Sequence, residues 1–167
     1  MFSNLFSRRA FAERLASLLP GLGLAGAAVA PPAAAKEKQG SVKKLNAEGK
    51  PADKGFITPL IIHNGVIYIA GIGAHSHNKA DIPKDITSHT KSVMDSVKSV
   101  IETGGGTMDS ILQLTVFLAS IEDYDGMNAV FKTYFPNGGP ARTTVAVAAL
   151  PGNSLVEINC TAAVTRK

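Results

Sequence analysis

Two apolar runs separated by a short polar step dominate the first half of the chain. The runs are residues 57–63 and 66–71, and Asn64-Gly65 lies between them. Asparagine and glycine both accept the positive φ of a type I′ turn, so Asn-Gly between apolar runs is a strong hairpin signal. The pattern predicts a β-hairpin, preceded by a short strand at residues 41–45 and a turn-rich segment.

Apolar residues beyond position 85 recur at spacings of three and four, which predicts an amphipathic helix. They are Ile86, Val93, Met94, Val97, Val100 and Ile101. Asp85 is the expected N-cap, and the run Gly104-Gly105-Gly106 is the expected stop. A second amphipathic helix is expected within residues 121–135, with Met127, Val130, Phe131 and Tyr134 on related faces.

Three more strands are expected, at residues 110–120, 143–148 and 155–164, the last two joined by Leu-Pro-Gly-Asn-Ser. The predicted order is β-ββ-α-β-α-ββ, with too few helices to cover both faces of a sheet. This indicates an α+β fold: one mixed sheet with two helices on one face. Apolar residues expected on the other face predict a homo-oligomer that covers them. They are Val145, Val147, Ile158 and Val164.

The first 35 residues have the pattern of an export signal. Ser7-Arg8-Arg9-Ala10-Phe11 precedes an apolar, Gly- and Ala-rich stretch from residue 15 to 30, as in a twin-arginine signal peptide. That stretch is short for a membrane span, so no lasting anchor is expected. Cleavage is expected after Ala35 or Ala30, the former favoured because Pro31 makes the other bond a poor substrate. We expect export of the folded protein to the periplasm.

Composition adds few constraints to this picture. A length of 167 residues with 45% hydrophobic residues fits one globular domain. We divide the chain into the signal (1–35), an N-terminal strand with an irregular lead-in (36–55) and the main domain (56–167). The net charge is +4, and no basic cluster with interleaved aromatic residues is present, so a nucleic-acid partner is not expected.

Neither the histidines nor the single cysteine indicates a cofactor site. His75-Ser76-His77, with His89 further along, offers imidazoles, but no acidic or cysteine residue at a suitable spacing completes a metal site. Cys160 has no partner for a disulfide within the chain and is interpreted as a small buried thiol. We therefore expect no metal and no cofactor.

Arg142 and Glu157 carry the candidate chemistry. A guanidinium pairs bidentately with a planar carboxylate, and a glutamate can orient water and move a proton. Their spacing of 15 residues spans a strand, a turn and part of the next strand, so the side chains are expected to converge across a hairpin. From the residues alone, a purely structural buried ion pair remains an open alternative.

The chain resembles the RidA (YjgF) family, reactive intermediate deaminases that are also labelled endoribonuclease L-PSP. The likeness runs from about Phe56 to Val164, and "PARTTVAVAALPGNSLVEI" is its most specific part. It implies a chorismate-mutase-like α+β fold and a homotrimer with small-molecule clefts between subunits. It also implies hydrolysis of 2-aminoacrylate and related enamines and imines to 2-keto acids and ammonia, with no cofactor.

The resemblance also implies roles for individual residues. Arg142 matches the arginine that grips the substrate carboxylate, and Glu157 matches the glutamate that handles the attacking water. Asn128 matches an asparagine of the cleft. Gly71 lies beside the position whose backbone lines the cleft.

Three positions depart from the family pattern. Thr144 stands where a cysteine is common, Ala70 replaces a serine, and Phe56 replaces a tyrosine. Phe56 and Thr144 are still expected to contact substrate, but the reaction class carries over more readily than 2-aminoacrylate specificity. One alternative is a non-catalytic module that binds a small carboxylate or regulates a partner. A weaker one is an endoribonuclease, which a periplasmic location and low net charge disfavour.

Overall fold

The computed structural model describes residues 40–74 and 83–165. The strands are β1 (Lys43–Leu45), β2 (Leu60–His63), β3 (Val66–Gly73), β4 (Ile111–Leu118), β5 (Ala141–Ala146) and β6 (Val156–Ala163), and the helices are α1 (Ile86–Thr103) and α2 (Tyr124–Phe131). The export signal and His75-Ser76-His77 lie outside these residues. Neither helix in the described ranges is long and apolar enough to cross a membrane.

The predicted hairpin is confirmed. Asn64 and Gly65 have φ values of 49° and 75°, so both turn residues adopt the left-handed region that the signal requires. β2 and β3 pair antiparallel, with His63 opposite Val66. β1 adds to the outer edge of β2, also antiparallel.

The predicted first helix is confirmed, including its ends. Asp85 accepts a hydrogen bond from the Ser88 amide at 2.9 Å, which satisfies one of the free N–H groups of the first turn. The helix ends at Thr103, and Gly105 follows with a φ of 85°. The apolar residues predicted on its inner face are buried, apart from half-buried Ile86.

The six strands form one mixed sheet in the order β1-β2-β3-β6-β4-β5. β4 and β5 are parallel and joined by α2, whereas the other neighbours are antiparallel. The helices cover one face of the sheet, so the α+β prediction is confirmed. The largest fully buried core residues are Leu60, Ile67, Met94, Ile101, Leu114, Leu118, Met127 and Ile158.

The prediction that the last two strands form a hairpin is wrong, because β4 lies between β5 and β6. The connecting residues 147–155 pass over the end of β4. There the Val147 amide donates to the Leu118 carbonyl, and the Ala119 amide donates to the Leu155 carbonyl, both at 2.9 Å. The backbone groups at the end of β4 are therefore satisfied by the crossing segment rather than by a turn.

The sheet face opposite the helices, here called the open face, is more polar than predicted. Ile158 pairs with Val116 on the helix-covered face and is fully buried, and Val164 packs against the core. Val147 lies beyond the end of β5. Only Val145, 40% exposed, remains on the open face as expected.

Candidate functional site

Arg142 lies near the start of β5, and its guanidinium extends toward α2. Nη1 donates to Asn128 Oδ1 at 2.7 Å, and Nη2 lies 3.4 Å from the Tyr124 hydroxyl oxygen. The guanidinium carbon is 4.6 Å from the centroid of the Phe131 ring and 5.9 Å from that of Tyr124. A guanidinium has five N–H groups, so these contacts fix its position and leave donors for a ligand.

All three partners of Arg142 come from one face of α2. Tyr124, Asn128 and Phe131 are spaced by four and three residues, which brings their side chains together on a helix. Of these three, only Asn128 was predicted from the sequence as a site residue; Tyr124 and Phe131 were not. That spacing on a predicted helix was the signal that could have revealed them.

Thr144 follows Arg142 by two residues on the same strand and the same sheet face. Its Oγ1 is buried and has no hydrogen-bond partner among the described residues. Buried hydroxyl groups are normally hydrogen bonded, so this oxygen is an unsatisfied polar group on the same face as Arg142. The structure therefore brings together three of the predicted residues: Arg142, Asn128 and Thr144.

Glu157 and Gly71 form a second cluster. Glu157 lies on β6, opposite Gly73 and Phe117. A bulge in β3 between Ile69 and Ile72 places the Gly71 backbone beneath the carboxylate. A Cβ built at Gly71 would lie 2.9 Å from Glu157 Cδ, closer than real Cβ contacts allow. A side chain at position 71 would therefore displace the carboxylate from the position it occupies here.

Arg142 and Glu157 do not converge within one chain, contrary to the expectation of a hairpin. Arg142 pairs with Leu114 of β4 and Glu157 pairs with Phe117, three positions further along. Because side chains alternate along a strand, the two residues project from opposite faces of the sheet. Within the described ranges no ion pair joins them, so the structural alternative is wrong for a salt bridge within one chain.

The remaining candidate positions stand apart from the Arg142 cluster. Phe56 is 100% exposed in the segment before β2, so it lines no enclosed site within this chain. Ala70 lies in the β3 bulge, where its amide donates to the Pro59 carbonyl at 3.0 Å. Cys160 is buried in the core, and burial raises the pKa of its thiol to about 12. This confirms its interpretation as a buried thiol.

His89 is a structural histidine. It is fully buried, with Nδ1 3.1 Å from the Pro83 carbonyl oxygen and Nε2 3.0 Å from Ser154 Oγ. The Leu155 amide donates to Nε2, so this nitrogen is the acceptor and Nδ1 carries the proton. Across residues 40–74 and 83–165, no three histidine, cysteine or acidic side chains gather in a possible metal site.

Relatives of known sequence share most of this domain. Residues 49–164 match the family model described as Endoribonuclease L-PSP. The chain is 30% identical to Reactive Intermediate Deaminase A, chloroplastic, from Arabidopsis thaliana, over 73% of this chain and 67% of that protein. It is 31% identical to a RutC family protein from Pyrococcus horikoshii, over 69% of this chain and 92% of the relative.

Solved structures give the same assignment. A protein described as an endoribonuclease L-PSP from Entamoeba histolytica superposes with a TM-score of 0.66 at 33% identity, covering 74% of this chain and 99% of that one. A Rid family protein of unknown function from Yersinia pestis superposes with a TM-score of 0.65 at 31% identity, covering 74% of this chain and all of that one (100%). By its matched residues and its fold, the chain belongs to the endoribonuclease L-PSP family, the RidA/YjgF family that its sequence resembles.

Proposed function

We propose that the protein hydrolyses reactive enamine and imine intermediates, yielding 2-keto acids and ammonia without a cofactor. The observation that carries the proposal is the Arg142 guanidinium, fixed by Asn128 and Phe131 and still holding free N–H donors. Membership of the family, which includes a relative named Reactive Intermediate Deaminase A at 30% identity, supports the same reaction class.

Arg142 would bind the substrate carboxylate. In a 2-imino acid the carboxylate is attached directly to the imine carbon, so a bidentate pair with the guanidinium fixes the position of the reacting carbon. The rings of Tyr124 and Phe131 restrict the motion of the guanidinium. Thr144 Oγ1, buried and unpartnered, would hydrogen bond the bound substrate.

Glu157 would direct water to the imine carbon. An enamine first takes a proton on carbon and loses one from nitrogen, which converts it to the imine. Water then adds across the C=N bond, with Glu157 accepting a proton from the water and returning one to nitrogen. The resulting carbinolamine loses ammonia as its C–N bond breaks and the hydroxyl becomes the keto group. Overall, imine and water give keto acid and ammonia.

This mechanism requires two copies of the chain at each site, because Arg142 and Glu157 project from opposite sheet faces. We propose that the protein is a homotrimer in which Arg142 of one subunit meets Glu157 of the next. A closed ring of three identical interfaces gives three equivalent sites. Fully exposed Phe56 would then contact substrate from a subunit edge.

We further propose export to the periplasm by the twin-arginine route, on the basis of Arg8-Arg9 and the apolar stretch that follows. Replacing both arginines with lysine should retain the uncleaved protein in the cytoplasm. Fractionation followed by N-terminal sequencing would measure both location and cleavage after Ala30 or Ala35. Equal export of the double variant would refute the route.

A second candidate function is a non-catalytic module that binds a small carboxylate. The sequence departures favour it, because Phe56 and Ala70 lack the hydroxyls expected from the family and Thr144 replaces the thiol. In that case Arg142→Ala would abolish carboxylate binding, Glu157→Gln would leave it unchanged, and the wild type would show no turnover.

A coupled assay tests the proposed reaction. An amino-acid oxidase supplies 2-iminopropanoate or 2-iminobutanoate, and semicarbazide traps the imine that remains. We expect wild-type protein to reduce trapping and Arg142→Ala to lose this effect by roughly 100-fold or more in kcat/KM. If the imines formed from several amino acids are hydrolysed only at the uncatalysed rate, the proposal that the protein is an imine hydrolase is refuted.

A further inference from the structure

Tyr124 contacts Arg142 through its ring and its hydroxyl, and the reaction proposed above uses only the ring. Its ring lies beside the guanidinium, and its hydroxyl oxygen is 3.4 Å from Nη2. We propose that the Tyr124 hydroxyl is a second donor to the substrate carboxylate and so determines specificity for carboxylate ligands. This inference rests on the proposed function only in assuming that Arg142 binds a carboxylate.

The hydroxyl proton of Tyr124 points away from Arg142. A tyrosine hydroxyl has one O–H donor and accepts through its lone pairs. Arg142 can only donate, so the phenolic oxygen accepts from Nη2 and its own proton must point elsewhere. Within residues 40–74 and 83–165, no protein group accepts a hydrogen bond from that proton. A carboxylate oxygen bound at the guanidinium would supply one.

The Tyr124 side chain is accessible to a ligand. Tyr124 is 39% exposed and is the first residue of α2. Its hydroxyl therefore lies at the edge of the Arg142 cluster that a ligand reaches, whereas Phe131 beneath the guanidinium is 7% exposed.

Other side chains hold Arg142 in place without the Tyr124 hydroxyl. Asn128 already holds Arg142 at 2.7 Å and Phe131 packs at 4.6 Å, whereas the Tyr124 contact is long for a hydrogen bond. A phenylalanine at position 124 would keep the ring and lose only the hydroxyl. A hydroxyl that served only to hold Arg142 would add little, so its expected contribution lies in the bound state.

The experiment measures binding of 2-oxobutanoate, a 2-keto acid with the carboxylate of the proposed product, by calorimetry. Tyr124→Phe should raise Kd by about tenfold, the loss of affinity expected for one hydrogen bond to a charged group. In turnover assays KM should rise by a similar factor while kcat changes less than about twofold. Tyr134→Phe, the same chemical change away from Arg142, should leave Kd unchanged.

Three outcomes decide the inference. An unchanged Kd in Tyr124→Phe would overturn it, and so would a fall in kcat at constant KM, because the hydroxyl would then act in the chemical step. If Tyr124→Phe raises Kd but the wild-type protein shows no turnover, the hydrolase proposal is refuted and the carboxylate role of Tyr124 is supported. The experiment therefore distinguishes failure of the hydrolase proposal from failure of the Tyr124 proposal.

Discussion

At the scale of single residues, the site is built from side chains whose neighbours restrict them. Arg142 would be a mobile surface side chain without α2, and Asn128 and Phe131 hold it in one position. Glu157 is restricted in another way, because the β3 bulge and the bare Gly71 backbone leave room for its carboxylate. Each functional group therefore depends on one neighbouring element of its own.

Gly71→Ala tests this requirement for space. A methyl group would overlap the Glu157 carboxylate and displace it, so we expect kcat/KM for imine hydrolysis to fall by roughly 100-fold, the scale of a lost general base. Gly55→Ala is the matched control, because a Cβ there meets no atom closer than 3.6 Å. Full activity in Gly71→Ala would show that Glu157 tolerates displacement or takes no part in the reaction.

The chemical types of these residues were predictable from the sequence, but their surroundings were predictable only in part. Arg142 and Glu157 stand out as charged residues in apolar runs, and the family resemblance identified Asn128 and Gly71. Tyr124 was missed because an aromatic residue on an amphipathic helix is usually a core residue. Its spacing from Asn128 places both residues on one helix face, but the contact with Arg142 also depends on how α2 packs beside β5.

At the scale of elements, a polar contact fixes the segment after α2 against α1. The Tyr134 hydroxyl donates to Asp95 Oδ1 at 2.7 Å, and Lys91 Nζ pairs with Asp95 Oδ2 at 2.6 Å. The hydrogen bonds from Lys91 and then Tyr134 lower the pKa of Asp95 below its usual 3.8. The same bond, after burial, raises the pKa of Tyr134.

The contribution of this contact should depend on pH. Because the pKa of Asp95 is lowered by folding, its stabilisation is present above about pH 4 and is lost as pH falls through the folded-state pKa. Tyr134→Phe should reduce the free energy of unfolding by roughly 1 kcal/mol at neutral pH, since Asp95 is exposed and the hydrogen bond lies at the surface. Urea denaturation should show the difference shrinking as pH falls from neutral to well below 3.8, the usual pKa of an aspartate. An equal difference at both pH values would contradict this assignment.

Elements with local signals were predictable, and long-range pairings were not. The Asn64-Gly65 hairpin and the capped helix α1 follow from residues within one turn of each other, and both are confirmed. The sequence "LPGNS" favours a tight turn, yet residues 147–155 pass over the end of β4. β4 gains antiparallel pairing with β6 and parallel pairing with β5, a choice set by the whole sheet.

At the scale of the whole molecule, the sheet order determines which face of the sheet each candidate residue occupies. With β4 between β5 and β6, Arg142 faces the helices and Glu157 faces the open side. In the proposed mechanism a single chain therefore supplies two half-sites. The proposed trimer joins unlike half-sites at each of its interfaces, so assembly and activity should be inseparable.

Subunit mixing tests this account most directly. Arg142→Ala and Glu157→Gln homotrimers should each be inactive, because every interface lacks one group. In a mixed trimer, one interface pairs an intact Arg142 with an intact Glu157 from the neighbouring subunit. Random assembly after coexpression at equal levels makes about three quarters of trimers mixed, with one working site each, so activity should return to about a quarter of wild type. Mixed trimers as inactive as the two parents would contradict the shared site.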